Sequence, residues 1–124
     1  MKSDFRDLKI WQQAKKLRDD LFEFCQSLPP DEKYRLLDQI IRASRSVSAN
    51  IAEGYGRYHY QENIQFLRQA RGSLFELIDH MDVVLSCKYI LDTDRKTFVQ
   101  RIEDLIRGVN GYIKYLKGKK ELSS

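Results

Sequence analysis

Residues 36–57 read LLDQIIRASRSVSANIAEGYGR. Leu37, Ile40, Ser44, Val47 and Ile51 recur in steps of three and four, with Leu36 and Ile41 beside them, which is the period of a helix burying one face. The end of the same stretch turns small and polar. Gly54 and Gly56 read as C-terminal breakers, so the helix is predicted to close near Tyr55.

The same rhythm extends on both sides. Upstream, Ile10, Ala14, Leu17, Leu21, Phe24 and Leu28 form a stripe widened by Trp11 and Cys25. It stops at Pro29, because proline disfavours helical geometry in the residue before it, and Pro30-Asp31-Glu32 suits a new first turn. Downstream, Leu67, Ala70, Leu74, Leu77, Met81 and Val84 make a third stripe. Phe98, Ile102, Leu105, Val109, Tyr112 and Leu116 make a fourth, ending at Gly118. The predicted helices span 6–28, 30–55, 60–89 and 93–117, followed by a polar tail over 118–124. Short connections force neighbouring helices to be antiparallel, so the predicted fold is all-α, an up-down-up-down four-helix bundle forming one domain over 1–124.

Composition agrees with a folded chain. Of 124 residues 42% are hydrophobic, and with only six glycines and two prolines the sequence is neither disordered nor low in complexity. The start, MKSDFRDLKIW, has no apolar signal segment, and no run approaches a membrane span, so a cytoplasmic protein without a membrane partner is expected. Cys25 and Cys87 match no metal spacing and read as reduced core residues at one end of the bundle.

Helices two and three, antiparallel around a turn near residue 59, bring residues whose numbers add to about 118 to one height. Ser44, Ser48, Ala49 and Ala52 are then expected to face Ala70, Gly72 and Ser73, small side chains that let the backbones approach. The same rule sets Arg42 level with Glu76 and Asp38 level with His80, as cross-helix pairs, and gives Asn50 the place of a register-fixing amide. Asp38, Arg42, Asn50, Glu53, Ser73, Glu76 and His80 thus read as a structural polar cluster. The competing reading makes Asn50, Glu53 and Arg57 a small-molecule or subunit-contact site.

Little in the chain points to catalysis, a metal or a cofactor. A di-iron bundle needs Glu-x-x-His pairs, whereas Glu76 and His80 are four apart and the chain has two histidines in all. GYG at 54–56 follows a helix and lacks the lysine and serine of a phosphate loop. Ser44, Ser46 and Ser48 have no histidine at their height to activate them.

Binding has more support. The formal charge is +4, and Arg45, Arg57, Arg68, Arg71, Lys114, Lys117, Lys119 and Lys120 are candidates for phosphate contacts. Tyr58 and Tyr60, with Tyr55 close by, are candidates for stacking on unpaired bases. A solvated basic face with tyrosines packed at a bundle end or a subunit contact explains the same residues.

WQQA at 11–14, the whole of 36–57 and FLRQARGSLFEL at 66–77 carry a family likeness, most specifically in NIAEG and GS-xx-E. The chain resembles the bacterial 23S ribosomal RNA intervening-sequence proteins. That resemblance implies a four-helix bundle, a homopentamer and no enzymatic activity. The family is in turn distantly similar to the accessory protein of diversity-generating retroelements, a basic pentameric bundle that associates with a reverse transcriptase and nucleic acid. The likeness therefore implies a homo-oligomer whose partner is RNA or DNA, with a protein partner such as a polymerase as the alternative. The chain departs from the pattern at His59, where a capping serine or threonine is usual, and at Asn63, where an apolar residue is usual.

Overall fold

The computed structural model describes residues 4–123, the side chain of Ser123 excepted. Asp4 opens it by accepting a 2.7 Å hydrogen bond from the Arg6 amide, while Asp7 accepts one from the Asp4 amide at 3.1 Å. This reciprocal cap fixes a short 3-10 turn, Phe5–Asp7, and sets the Phe5 ring edge-on against Trp11 with centroids 5.1 Å apart. Four α-helices follow: α1 (Lys9–Cys25), α2 (Leu36–Tyr55), α3 (Tyr60–Ser86) and α4 (Asp92–Ser123). A second 3-10 turn, Pro30–Glu32, lies between α1 and α2. Among the described residues there is no strand, and no helix is long and apolar enough to cross a membrane.

The chain is an all-α four-helix bundle, and its core is the one the periodicity implies. All six residues of the α3 stripe are buried, as are Ile10, Ala14, Leu17, Leu21 and Leu28 of the first and Ile102, Leu105, Val109 and Leu116 of the fourth. On α2 the buried line runs through Leu36, Ile40, Val47 and Ile51, with Leu37 and Ile41 half-buried at its edge.

The helix ends depart from expectation at several points. α1 spans Lys9–Cys25 rather than 6–28, because the Asp4 cap uses the first residues for a separate turn. α2 starts at Leu36 rather than 30, after the turn that Pro30 initiates. α3 stops at Ser86 rather than 89. Its terminator is Lys88, at φ 63°, where the Tyr89 amide donates to the Val84 carbonyl at 3.0 Å and the Lys88 amide to Leu85 at 2.9 Å. The largest correction is at α4, which does not end before Gly118 but continues through it to Ser123. Gly118 has no positive φ, so nothing there breaks the helix, and what reads as a polar tail is helical over 118–123. Ser124 lies outside the described residues.

Gly54 also differs from its expected part. It lies within α2 and is buried, and a Cβ there would stand 2.6 Å from Asn63 Oδ1 and 2.9 Å from Phe66 Cβ. At Gly54 α2 and α3 approach closely, and Gly56 is the residue that caps the helix. Gly72 plays no part in the approach, with no atom within 4 Å of a Cβ.

Candidate nucleic-acid interface

The α3–α4 seam carries an array of cations. Arg71 donates to Asn110 Oδ1 at 2.6 Å and Lys120 to Gln61 Oε1 at 2.6 Å, so on these helices residues adding to 181 lie level. Arg68 and Arg71 are three apart on α3, and Asn110, Lys114 and Lys117 follow the i, i+4, i+7 rule on α4. The Arg71–Asn110 bond sets the two stripes side by side. Arg68, Arg71, Lys114 and Lys117 therefore share one face. Lys114 and Lys117 are exposed and, among the described residues, take part in no salt bridge. Between 111 and 122 there are four lysines against the single Glu121.

A second group gathers where α2 ends, α3 begins and α4 closes. Here a groove of about 630 Å³ is lined by Tyr55, Tyr58, Tyr60, Tyr112 and Tyr115, with Arg57, His59 and Lys119 among them. Arg57 is already engaged, 2.6 Å from Glu53 and 3.9 Å from Glu62, with its guanidinium 4.8 Å from the centre of the Phe66 ring. Lys119 Nζ lies 5.6 Å from the centre of Tyr115. Burial raises the pKa of the Tyr112 hydroxyl, and the neighbouring Tyr55 and Tyr115 push it the same way, so the phenol stays protonated more firmly. Asn63 is 7% exposed and its Oδ1 meets no donor, because it points at the bare backbone of Gly54. His59 heads α3 without a side-chain cap, as the loss of a serine or threonine there implies.

Arg45 belongs to neither group. It lies in a separate cleft between α1 and α2, beside Arg18, Asp19 and Phe22.

The seven residues read as one polar cluster are four separate units. Arg42 pairs with Asp38 at 3.5 Å and His80 Nε2 lies 3.2 Å from Glu76 Oε2, each within its own helix, not across α2 and α3. The i, i+4 neighbour is reached without ordering a second helix, and it wins. Asn50 donates to the Ser46 carbonyl at 2.8 Å and to Ser46 Oγ at 3.0 Å, and Ser73 donates to the same Oγ at 2.9 Å. This relay is what crosses between α2 and α3. Glu53 holds Arg57, and Asn50 does not join them. Ser48 faces α1 and not α3, accepting from Arg18 at 3.1 Å, while Ala49 is exposed.

The remaining chemistry is quiet. Ser44 and Ser48 donate to the carbonyls of Ile41 and Arg45, three residues back. Among the described residues no three His, Cys, Asp or Glu side chains converge to hold a metal. Cys25 and Cys87 are free thiols, but only Cys25 is in the core, since Cys87 is exposed where α3 ends; burial pushes Cys25 up to about 11, which makes it a poor nucleophile. Sequence reasoning missed Tyr115 and assigned Tyr112 to the core. The available signal was the i, i+3, i+7 spacing of Tyr112, Tyr115 and Lys119.

A family model described as 23S rRNA-intervening sequence protein matches residues 6–111. Among solved structures, the chain is similar to a protein of unknown function from the S23 ribosomal protein family of Bacteroides thetaiotaomicron VPI-5482. The TM-score is 0.79 at 17% identity, over 85% of this chain and 95% of that one. A search of curated proteins finds no match.

Proposed function

Since the chain belongs to the 23S rRNA-intervening sequence protein family, we propose that it is a non-enzymatic, homo-oligomeric bundle protein that binds the backbone of RNA or DNA through its α3–α4 face. The observation that carries this is the face itself. Arg68, Arg71, Lys114 and Lys117 stand on two rigid helices tied by the Arg71–Asn110 bond, so cations meet a phosphate chain without first ordering a loop. Lysine and arginine side chains at this spacing contact phosphates without reading bases, so the affinity has little sequence selectivity. Each copy carries +4, and a closed oligomer adds its faces together, as the family resemblance to pentamers implies.

The test is the salt dependence of affinity for a structured RNA. Log affinity falls linearly with log salt, and Lys114→Ala with Lys117→Ala lowers the slope by about 1 per lysine. A slope near zero, or one unchanged in the double variant, removes the α3–α4 face from any phosphate contact.

One observation favours a second reading. Phe75 is 56% exposed and extends the Arg68–Arg71 stripe by one more turn, which suits a protein surface better than a nucleic acid. A protein-interaction adaptor, binding a polypeptide with little salt dependence, is the alternative that the same titration separates.

A further inference from the structure

Five of the seven tyrosines line one groove at the end of the bundle. Its volume of about 630 Å³ lies within the range of small-ligand sites. Tyr58 is 91% exposed and Tyr115 56% exposed, so both leave ring surface to solvent. Tyr112 and Tyr115 lie 5.9 Å apart, their planes inclined by 34°, which makes a wall of ring faces rather than hydroxyls alone. Lys119 places its charge over Tyr115, and it takes part in no salt bridge among the described residues. At the rim the first turn of α3 has no side-chain cap, so its amides add partial positive charge beside Lys119.

We propose that this groove takes an unpaired base of single-stranded nucleic acid, stacked on Tyr58 and Tyr115, with the adjoining phosphate held by Lys119. The proposal rests on the nucleic-acid reading above and deepens it from backbone binding to strand state. Two features of the groove select this occupant. Every base has a π-face, so stacking on tyrosine suits an open strand of any sequence, whereas a duplex keeps its bases stacked inside. A second copy of the chain seated symmetrically in the groove would bring Lys119 and the α3 N-terminus against their own likes, while a polyanion neutralises them.

The experiment uses the full chain and two labelled probes of equal phosphate number, a single-stranded oligonucleotide and a duplex, with affinity read by fluorescence anisotropy at fixed salt. Tyr58→Ala and Tyr115→Ala each weaken the single strand by about 5- to 150-fold. They change the duplex by less than about twofold, while Tyr58→Phe, which keeps the ring, preserves single-strand binding to within about twofold. Both side chains are largely exposed, so circular dichroism is expected to show the variants folded. If both probes bind equally and the tyrosine variants match the parent, the groove is not a base site, yet salt-dependent binding leaves the α3–α4 face standing. If neither probe binds at any salt, both proposals fall. If Tyr58→Phe loses as much as Tyr58→Ala, the hydroxyl rather than the stack is responsible, and the base-stacking assignment is wrong.

Discussion

The α2–α3 seam and the α1–α4 seam close the same bundle by different means. Along α2–α3 the backbones touch. Gly54 leaves no room for a Cβ beneath Asn63 and Phe66, and the Asn50–Ser46–Ser73 relay crosses the gap with one hydroxyl serving two donors. Along α1–α4 the helices stand further apart, leaving a groove of about 360 Å³ lined by Lys9, Gln12, Gln13, Lys16, Arg101 and Asp104. That gap is bridged by Arg101, which donates to Asp20 at 2.8 Å. Helices adjacent in the chain are joined by short turns and can be drawn to contact, whereas α1 and α4 meet only when the whole bundle closes. Small side chains make the first seam specific, and long charged ones span the groove of the second, which closes at Gly108, where a Cβ would stand 3.0 Å from Ile10 Cγ2.

An added methyl group tests how tight the α2–α3 approach is. Gly54→Ala places a carbon 2.6 Å from Asn63 Oδ1 and 2.9 Å from Phe66 Cβ, and overpacking of this kind costs about 1–3 kcal/mol. Urea denaturation is expected to show this loss even though alanine is the better helix former. Gly72→Ala is the control, because it meets nothing within 4 Å and sits in the interior of α3. It gains about 0.5–1 kcal/mol. If both substitutions stabilise, the α2–α3 approach is looser than its geometry implies.

How much of this difference lay open in the sequence follows from what each pattern encodes. The four-three rhythm fixes which residues face inward, and all six residues of the α3 stripe are buried, with Ile64 extending it one step toward the start of the helix. The antiparallel height rule is borne out at Ser46 and Ser73, whose numbers add to one more than the expected 118. Height is not azimuth, however. Ser48 is one helical step of about 100° from Val47 and two from Ser46, so it turns toward Arg18 on α1 while Ser46 turns toward α3. Arg42 and Glu76 stand level without pairing, because each has a partner four residues away on its own helix. Glycine was the least legible residue type. Gly54 is buried inside a helix, Gly118 is passed through, and the left-handed terminator of α3 is Lys88. The basic residues could be collected from the sequence, but their division between the α3–α4 face, the end groove and the Arg45 cleft depends on which helices adjoin.

The hydroxyl relay sharpens the comparison with a smaller effect. Ser73→Ala removes the donor that crosses the seam and costs about 0.5–1.5 kcal/mol, the ordinary net worth of one hydrogen bond. Ser46→Ala removes the acceptor from both Ser73 and Asn50, but Asn50 keeps the Ser46 carbonyl. The double variant therefore loses less than the two singles added together, and a double-mutant cycle read by thermal denaturation measures that coupling. Strict additivity shows that the two hydroxyls do not act on one another.

The smallest effect is on the loose seam, and it depends on pH. Asp20 is held below the usual carboxylate range first by the hydrogen bond from Lys16, with Arg101 adding to it and partial desolvation opposing. A carboxyl whose folded pKa is lowered stabilises the fold above its unfolded pKa, and that contribution fades as pH falls through the folded one. The Arg101–Asp20 pair is partly exposed, so its worth near neutral pH is about 0.2–1 kcal/mol. Asp20→Asn removes this amount at about pH 7 and a smaller part of it at about pH 3, below the unfolded aspartate pKa of about 3.9 and on the way down to the lowered folded one. Gly54→Ala carries no ionisable group, so its penalty is expected to be the same at both values. Matched denaturation curves at the two pH values thus separate the seams by mechanism. If the Asp20→Asn loss persists undiminished in acid, the carboxylate contributes packing or shape rather than charge, and the contrast between a steric seam and an electrostatic one fails.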